Sequence, residues 1–573
     1  MQASFLNIPS HPDVVFTVYP PVGILSMAAC LKQAGYGAAF IDADVLRLSP
    51  EQVVARLARN LPDFLGISLN VAQVSHAAPY IAAVQRAFPE LPLVVGGPYV
   101  TGVREGIFTD FPTVPYAVLS EGEYAIIDFA EYLQGLRRPE QVRNLLWRQE
   151  NEIRRNPVER IADLDSLPLP DYSLVKETLS LYPGPQPAIA LPSIAIMCTR
   201  GCPYNCTFCS SPVSWERKVT FRSTDSIIRE LEYLRDLAGV REVFFQDDTM
   251  NVRPSWFMEL CDKIIARGLQ REIFFKCPFR LDKKLLTREL LDKAKAANFW
   301  MIFYGVESGN RQMLQRMHKQ TVPGDIERAF ALTRKAGIAS YASFMIGNDG
   351  ETGKTVRDSL RLARRIMPDY GGFAVAAPFP GSELHRIGMA KGHITRTDFT
   401  KYQFGDCILR TEELSVDEIT SLAIRGNAVL EKQKKTLRYR FISRNNPFVQ
   451  PGQLYPPEWW HTWVQWSGRS GWYLIMAPAE ASVVHISCLA LHPDIEYKPV
   501  KLTVSIGSAR YTATLGAGEW QTLSFPLPAG AITPSGQLMV RWKTDRTWTP
   551  AEADIQNKDN RRLGIAVERI WVS

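Results

Sequence analysis

Apolar positions change their period along this chain, and each change predicts a different layer of structure. Up to residue 145, short apolar runs such as Ala39-Phe40-Ile41, Phe64-Leu65-Gly66-Ile67, Leu93-Val94-Val95 and Ala117-Val118-Leu119 are spaced by amphipathic stretches. A run at Val14-Val15-Phe16 reads as a further strand, and helices are expected up to Tyr36, near 51–60 and near 77–88. Strands spaced by helices in this way predict a Rossmann-like, doubly wound parallel sheet, with ligands outside the carboxyl ends of its strands. Residues 146–190 are proline-punctuated and extended, a connector. From 191 to 390 apolar strands again alternate with helices, and several end in polar residues. They are Ser193–Met197, Glu242–Asp248, Glu272–Cys277, Trp300–Gly309, Tyr341–Gly347 and Phe373–Gly381. Six such units predict a partial (β/α)6 barrel with its functional residues on the carboxyl-end rim. Residues 391–450 have helical periodicity, with Ser415-Val416-Asp417-Glu418 as a start signal. From 455 to 573 short alternating strands with Gly/Pro turns predict an antiparallel β-sandwich.

Size and composition narrow the class. A chain of 573 residues is too long for one core. Its net charge of +7 is spread along the chain, which excludes the concentrated basic stripe of a nucleic-acid binder. No apolar run has membrane-spanning length, and the amino terminus lacks the basic-then-apolar order of an export signal. With nine cysteines in addition, an uneven number, a reducing cytoplasm is expected and a disulfide framework is not.

Three of those cysteines, Cys202, Cys206 and Cys209, stand at C-x3-C-x2-C. Thiolates are soft ligands suited to iron–sulfur clusters, and a [4Fe–4S] cluster held wholly by protein needs four. Three leave one iron open to a small molecule. A zinc site would show paired C-x2-C knuckles, which the chain lacks. Cys198 ends a strand and reads as a packed apolar residue; Cys30, Cys261, Cys277, Cys407 and Cys488 read as scattered thiols.

The loop and the strand ends that follow it resemble the radical S-adenosylmethionine (SAM) superfamily. The resemblance implies that Cys202, Cys206 and Cys209 hold the cluster, that the open iron chelates SAM, and that an electron from the cluster cleaves SAM to a 5′-deoxyadenosyl radical. It implies that Asp247 and Asp248 face the SAM amino group, and that Glu307 and Ser308 reach its ribose and carboxylate. Phe344–Gly347 would lie against the adenine, Phe208 near it, and Pro378 with Gly381 would close the rim. Arg280 has two readings, a bidentate contact to the SAM carboxylate or a pair with Asp282. Asn348-Asp349 stands where the family has Pro before Gly-Glu-Thr, a change expected to affect only a helix entry.

The segments ahead of the loop resemble the cobalamin-binding domain that precedes many radical SAM domains. They are Pro20-Pro21-Val22-Gly23-Ile24, Ala34-Gly35-Tyr36, Gly66-Ile67-Ser68, Gly96-Gly97-Pro98 and Glu121-Gly122-Glu123; the alternative is a bare flavodoxin-like fold. Gly96, Gly97 and Glu121 would contact cobalamin. The chain lacks the Asp-x-His-x-x-Gly signature, so the resemblance implies a cobalt without a protein histidine, facing Asn70, Val71 or Gln73. His76 reads as a surface or cap residue.

The expected function is therefore a cobalamin-dependent radical SAM enzyme, methylating an unactivated carbon of a lipid, glycan or natural-product intermediate and fed by an external donor such as flavodoxin or ferredoxin. A rearrangement or cyclisation with the same cofactors, and a cobalamin or redox sensor whose sandwich binds a glycan or partner, are the alternatives. Trp459, Trp460, Trp463, Trp466, Trp472, Trp520, Trp542 and Trp548 could stack on sugars or pack the sandwich. The basic run at 432–444 reads as a solvated face, with an anionic substrate or membrane surface as the alternative.

Overall fold

Pairing starts at the amino terminus itself, one strand earlier than the apolar runs predict. β1 (Gln2–Asn7) is followed by β2 (Gly37–Asp42), β3 (Phe64–Ser68), β4 (Leu93–Gly96) and β5 (Tyr116–Val118). The computed structural model describes all residues except 11–18, 151, 183, 185–186, 400–405, 446–451, 455–457, 460–462, 477–480, 517–519, 533–536, 550–562 and 573. The expected run Val14–Phe16 thus lies outside the described residues. The chain divides into two units, Met1–Lys435 and Thr436–Ser573. No helix among the described residues is long and apolar enough to cross a membrane.

The first sheet has the order β2-β1-β3-β4-β5, all parallel. The connection reverses direction between β1 and β3, where open α/β sheets place ligands. A hairpin of β6 (Leu145–Gln149) and β7 (Glu152–Arg155) continues the sheet antiparallel, so it reaches past residue 145. β7 was invisible in the pattern because all four of its residues are exposed and three are charged, as suits an edge strand.

The second sheet holds six parallel strands: β8 (Ser193–Ile196), then, beyond a small ladder of β9 (Thr199–Arg200) and β10 (Thr220–Phe221), β11 (Glu242–Phe245), β12 (Phe274–Phe279), β13 (Phe299–Glu307), β14 (Ala339–Ile346) and β15 (Tyr370–Val375). They pair in the order β8-β11-β12-β13-β14-β15, each beside its chain neighbour, as in a (β/α) barrel left open at one seam. One face packs under helices: Phe245 stacks on Phe275 and Phe299 at 5.6 and 5.5 Å, and Phe257 of helix Pro254–Ala266 meets Phe299 at 5.1 Å. The other face carries Phe244, Phe303 and Tyr341 in a row at 5.2 and 4.8 Å. Below them, Lys276 and Glu242 form a fully buried ion pair at 2.5 Å.

The connector staples the two sheets. Tyr182 donates to Asp42 Oδ2 at 2.7 Å and Tyr172 to Glu230 Oε1 at 2.7 Å, while Lys32 pairs with Asp171 at 2.5 Å. Farther on, Ser415 and Glu418 form the reciprocal cap that the sequence predicts for helix Val416–Asn445. The side chains of the basic run at 432–444 lie outside the described residues.

The second unit is antiparallel. Strand Trp463–Met476 pairs through Gln465–Trp466 with Ala566–Val572 and through Ser470–Met476 with Gln537–Thr544, and it also takes the short strands Gly452–Leu454 and Glu458–Trp459 as antiparallel partners. Val484 and Ile486 share one core with Leu502, Val504 and Trp542. Trp542 therefore packs, while Trp520 is exposed. Trp460 and the side chains of Trp459, Trp463, Trp466 and Trp472 lie outside the described residues.

Candidate active site

The cluster loop leaves β9 through Gly201, at φ +98°, where an added Cβ would lie 2.0 Å from the Lys218 carbonyl oxygen. Only glycine fits there. Beyond it Cys202, Cys206 and Cys209 are free and partly exposed, with the Cys209 amide donating to the Cys206 carbonyl at 3.0 Å. Burial pushes the Cys209 thiol up to about 12 and raises Cys202 as well. Thiols held in this way give up their protons when a metal takes their place. Cys198 is buried in the barrel core, its thiol pushed well up by burial. It serves as the packed residue that the sequence predicts. Cys30, Cys261, Cys277 and Cys488 are buried and Cys407 partly so.

The rim acids divide by direction. Asp247 is buried and turned to the start of the loop, where it accepts from the Cys198 amide at 3.1 Å, the Thr199 hydroxyl at 2.6 Å and the Thr199 amide. Burial nevertheless raises its carboxyl to about 7. Asp248, next along, is exposed at the rim and accepts from Ser211 Oγ at 2.8 Å. Glu307 follows a β-bulge at φ +60°, an uncommon conformation for a residue with a side chain. Its carboxylate pairs with Lys319 at 2.7 Å, and the Lys319 ammonium lies 5.8 Å from the Phe208 ring centroid. Ser308 is wholly buried, with its hydroxyl 3.2 Å from that of Ser359 and accepting from the Asn310 amide at 3.2 Å. Its hydrogen bonds serve the helix entry.

Gly347, at φ +98°, donates its amide to Glu351 at 2.6 Å, and burial raises the Glu351 carboxyl to about 7. Among the described residues, the other Glu351 oxygen and both side-chain amide atoms of Asn348 are buried without a hydrogen-bond partner. Arg280 stacks on Tyr204 at 3.5 Å and pairs with Asp282 at 2.6 Å, forming the second of its two expected arrangements, within the protein and not at its surface. Gly381 packs its rim turn against Val213 and Gly102, leaving 3.0 Å and 3.2 Å for a Cβ.

At the carboxyl ends of β1, β3, β4 and β5 lies a cavity of about 250 Å³. Phe5, Ile67, Val94 and Ile126 wall it, and Gly66, Gly96, Gly97 and Gly122 leave it open. At Gly97, φ +98°, a Cβ would meet the Leu69 backbone at 2.7 Å. Gly96, Gly97 and Glu121 thus come together as expected; Asn70, Val71 and Gln73 do not line this cavity. Gln73 is buried and donates to Asn7 Oδ1 and the Ile8 carbonyl, each at 2.8 Å, while Asn70 is exposed. His76 stands in the first turn of helix Val74–Ala87.

The sequence reading missed Arg200. Its guanidinium bridges Glu121 and Glu123 at 2.5 Å each, joining the first sheet to the cluster loop. Burial alone would raise Glu123, but Arg200 outweighs it and holds the carboxyl below its ordinary range. The signal available was a lone arginine before the loop glycine, which no period distinguishes.

The family profile described as the Radical SAM superfamily matches residues 196–363, and that of the B12 binding domain matches residues 13–130. An uncharacterised methyltransferase of Pyrococcus horikoshii is 24% identical over 410 residues, covering 71% of this chain and 87% of the relative. An anaerobic magnesium-protoporphyrin IX monomethyl ester cyclase of Cereibacter sphaeroides is 26% identical over 406 residues, covering 70% and 65%. The solved structure of the radical SAM methyltransferase TsrM from Kitasatospora setae, with cobalamin and a [4Fe–4S] cluster bound, shares the fold. Its TM-score is 0.58 at 18% identity, over 72% of this chain and 83% of that one.

Proposed function

Because the chain belongs to the radical SAM superfamily and carries a B12-binding domain ahead of the barrel, we propose that it methylates an unactivated carbon of a lipid, glycan or natural-product intermediate. The observation that carries the reading is the pairing, in one unit, of a three-thiol loop with a cavity at the strand ends of the first sheet. When bound, a cluster with one open iron would supply the electron that splits SAM, and cobalamin would carry the methyl group.

The residues suit these groups. Cys202, Cys206 and Cys209 would hold the cluster, and Cys198, turned into the core, leaves them three in number. Asp247 is already satisfied by Cys198 and Thr199, so Asp248, exposed beside it, is the acid we assign to the SAM ammonium. Phe208 and the Glu307–Lys319 pair would border the nucleoside, with Gly347 offering its backbone. Ser308 would act from beneath, by fixing the helix entry. For cobalamin, apolar walls and glycines, of which Gly66, Gly97 and Gly122 have no room for a Cβ, suit a slender group laid against backbone, and Gly96, Gly97 and Glu121 would border it. Asn70 and Val71, outside the cavity lining, remain our assignment for the face nearest cobalt; Gln73, expected there too, is buried and bonded to Asn7, Ile8 and the Asn70 amide, and so locks that turn from behind. An external low-potential donor such as flavodoxin or ferredoxin would reduce the cluster, and a reducing cytoplasm suits both.

Anaerobic reconstitution with iron, sulfide and hydroxocobalamin tests this reading. Reductive cleavage of SAM and a shifted cobalamin spectrum are expected; protein that forms no cluster and cleaves no SAM would refute it. The similarity to a cyclase supports a second reading, cyclisation with the same cofactors. S-adenosylhomocysteine with a methylated product marks the first, and deoxyadenosine without methyl transfer the second.

A further inference from the structure

Both ends of the cluster loop are tied to the wall of the N-terminal cavity. Upstream, Arg200 stands two residues before Cys202 and bridges Glu121 and Glu123. Those acids flank Gly122 on the turn from β5 into helix Glu123–Leu133, and all three residues line the cavity. Downstream, the Ser211 amide donates to Cys209 Sγ at 3.3 Å and opens the short helix Ser211–Trp215. The far end of that helix returns to the same cavity. Ser214 and Trp215 line it, and the Ser214 carbonyl accepts from Ser120 Oγ at 3.1 Å. The Trp215 ring lies 6.0 Å from the Arg200 guanidinium and 5.4 Å from that of Arg160, which itself donates to the Trp215 carbonyl at 2.9 Å. There is little slack: the space beside Gly201 is filled by the Lys218 carbonyl and the Trp215 side chain, and Glu121 is held from behind by the Ile161 amide at 2.7 Å.

We propose that Arg200 is a positioning residue that couples the two cofactor sites, so that cobalamin in the cavity and a cluster on the loop each strengthen binding of the other. The inference rests on the cobalamin reading of the cavity given above. A group filling the cavity fixes the turn Ser120–Glu123, a cluster fixes the loop, and the guanidinium holds turn and loop at one spacing. The cost of ordering them is then met once for both ligands, and the coupling is equal in both directions.

The test is a titration of hydroxocobalamin, read by its absorbance, into cluster-loaded and cluster-free protein under anaerobic conditions. Wild type, R200K and the charge-removed variant E121Q/E123Q/R200M are compared. In wild type the Kd should tighten roughly 5- to 150-fold on cluster loading. In the triple variant the two Kd values should converge, at an affinity that the change at Glu121 is free to lower in both forms alike. R200K should keep part of the coupling, since an ammonium is a point charge that cannot bridge two carboxylates as a guanidinium does. With excess dithionite keeping both cluster and cobalt reduced, the paramagnetic resonance signal of the cluster should shift on adding cobalamin to wild type and stay fixed in the triple variant. Equal Kd values for loaded and free wild type overturn the coupling and leave the cavity's ligand standing. Full coupling in the triple variant, or in R200K should the triple variant not fold, overturns the role of Arg200. Failure of both forms of wild type to bind hydroxocobalamin overturns the coupling together with the reading beneath it.

Discussion

Asp247→Asn removes a buried charge while keeping its shape, and the structure fixes the sign of the pH dependence that follows. The carboxylate accepts from Cys198 and Thr199, yet burial still raises it to about 7. Unfolded, an aspartate titrates near about 3.9. The native state therefore holds this proton more tightly than the unfolded one. The group's contribution to stability is fully present below about pH 4 and is lost as pH rises through 7, a span corresponding to about 4 kcal/mol. Asn does not titrate, but turns an NH2 toward donors that the carboxylate satisfied, a loss of about 1–2 kcal/mol. The variant should be less stable than wild type at pH 5 and at least as stable at pH 8, with the difference moving by about 3 kcal/mol in its favour. Urea unfolding of the cluster-free proteins, compared pair by pair at each pH, reads that difference and cancels every group the two share. A difference that stays constant from pH 5 to pH 8 would refute the reasoning.

Four other perturbations have defined outcomes. Gly97→Ala forces a side chain into φ +98° and against the Leu69 backbone, and should cost roughly 3 kcal/mol or more in thermal unfolding. Gly23→Ala, helical and with nothing within 4 Å of the added methyl, should stabilise by about 0.5–1 kcal/mol. Lys276→Met leaves Glu242 buried and unpaired and should cost about 3–5 kcal/mol, most of which the double variant E242Q/K276M should recover. Replacing Cys202, Cys206 and Cys209 together by Ala should abolish the broad cluster absorbance of reconstituted protein, and Cys198→Ala should retain it.

Much of the fold was legible because its periods were clean. The six barrel strands are apolar runs that end in polar residues, and the alternation over 500–506 appears directly as alternating burial. The three-cysteine spacing is local, so the sequence alone carries it. What stayed hidden depends on direction or on distant partners. β7 has an exposed, charged sequence that only pairing with β6 makes into a strand. Adjacent residues Asp247 and Asp248 look equivalent in sequence, but strand geometry turns one inward to Thr199 and the other to the rim. Ser308 reads as a polar strand end, and its burial comes from Ser359, about fifty residues on. Arg200 acquires its meaning from two acids nearly eighty residues upstream.

The two tyrosines of the connector bear on how freely such a protein can be recombined. Asp42 in the first sheet and Glu230 in the barrel are both buried, and each takes one of its hydrogen bonds from a phenol that belongs to neither. A chimera that exchanged either half at its sheet boundary would leave a buried carboxylate short of one donor. The portable module is therefore a half together with the intervening strap, and grafts that respect this should tolerate foreign partners better than cuts placed by sheet alone.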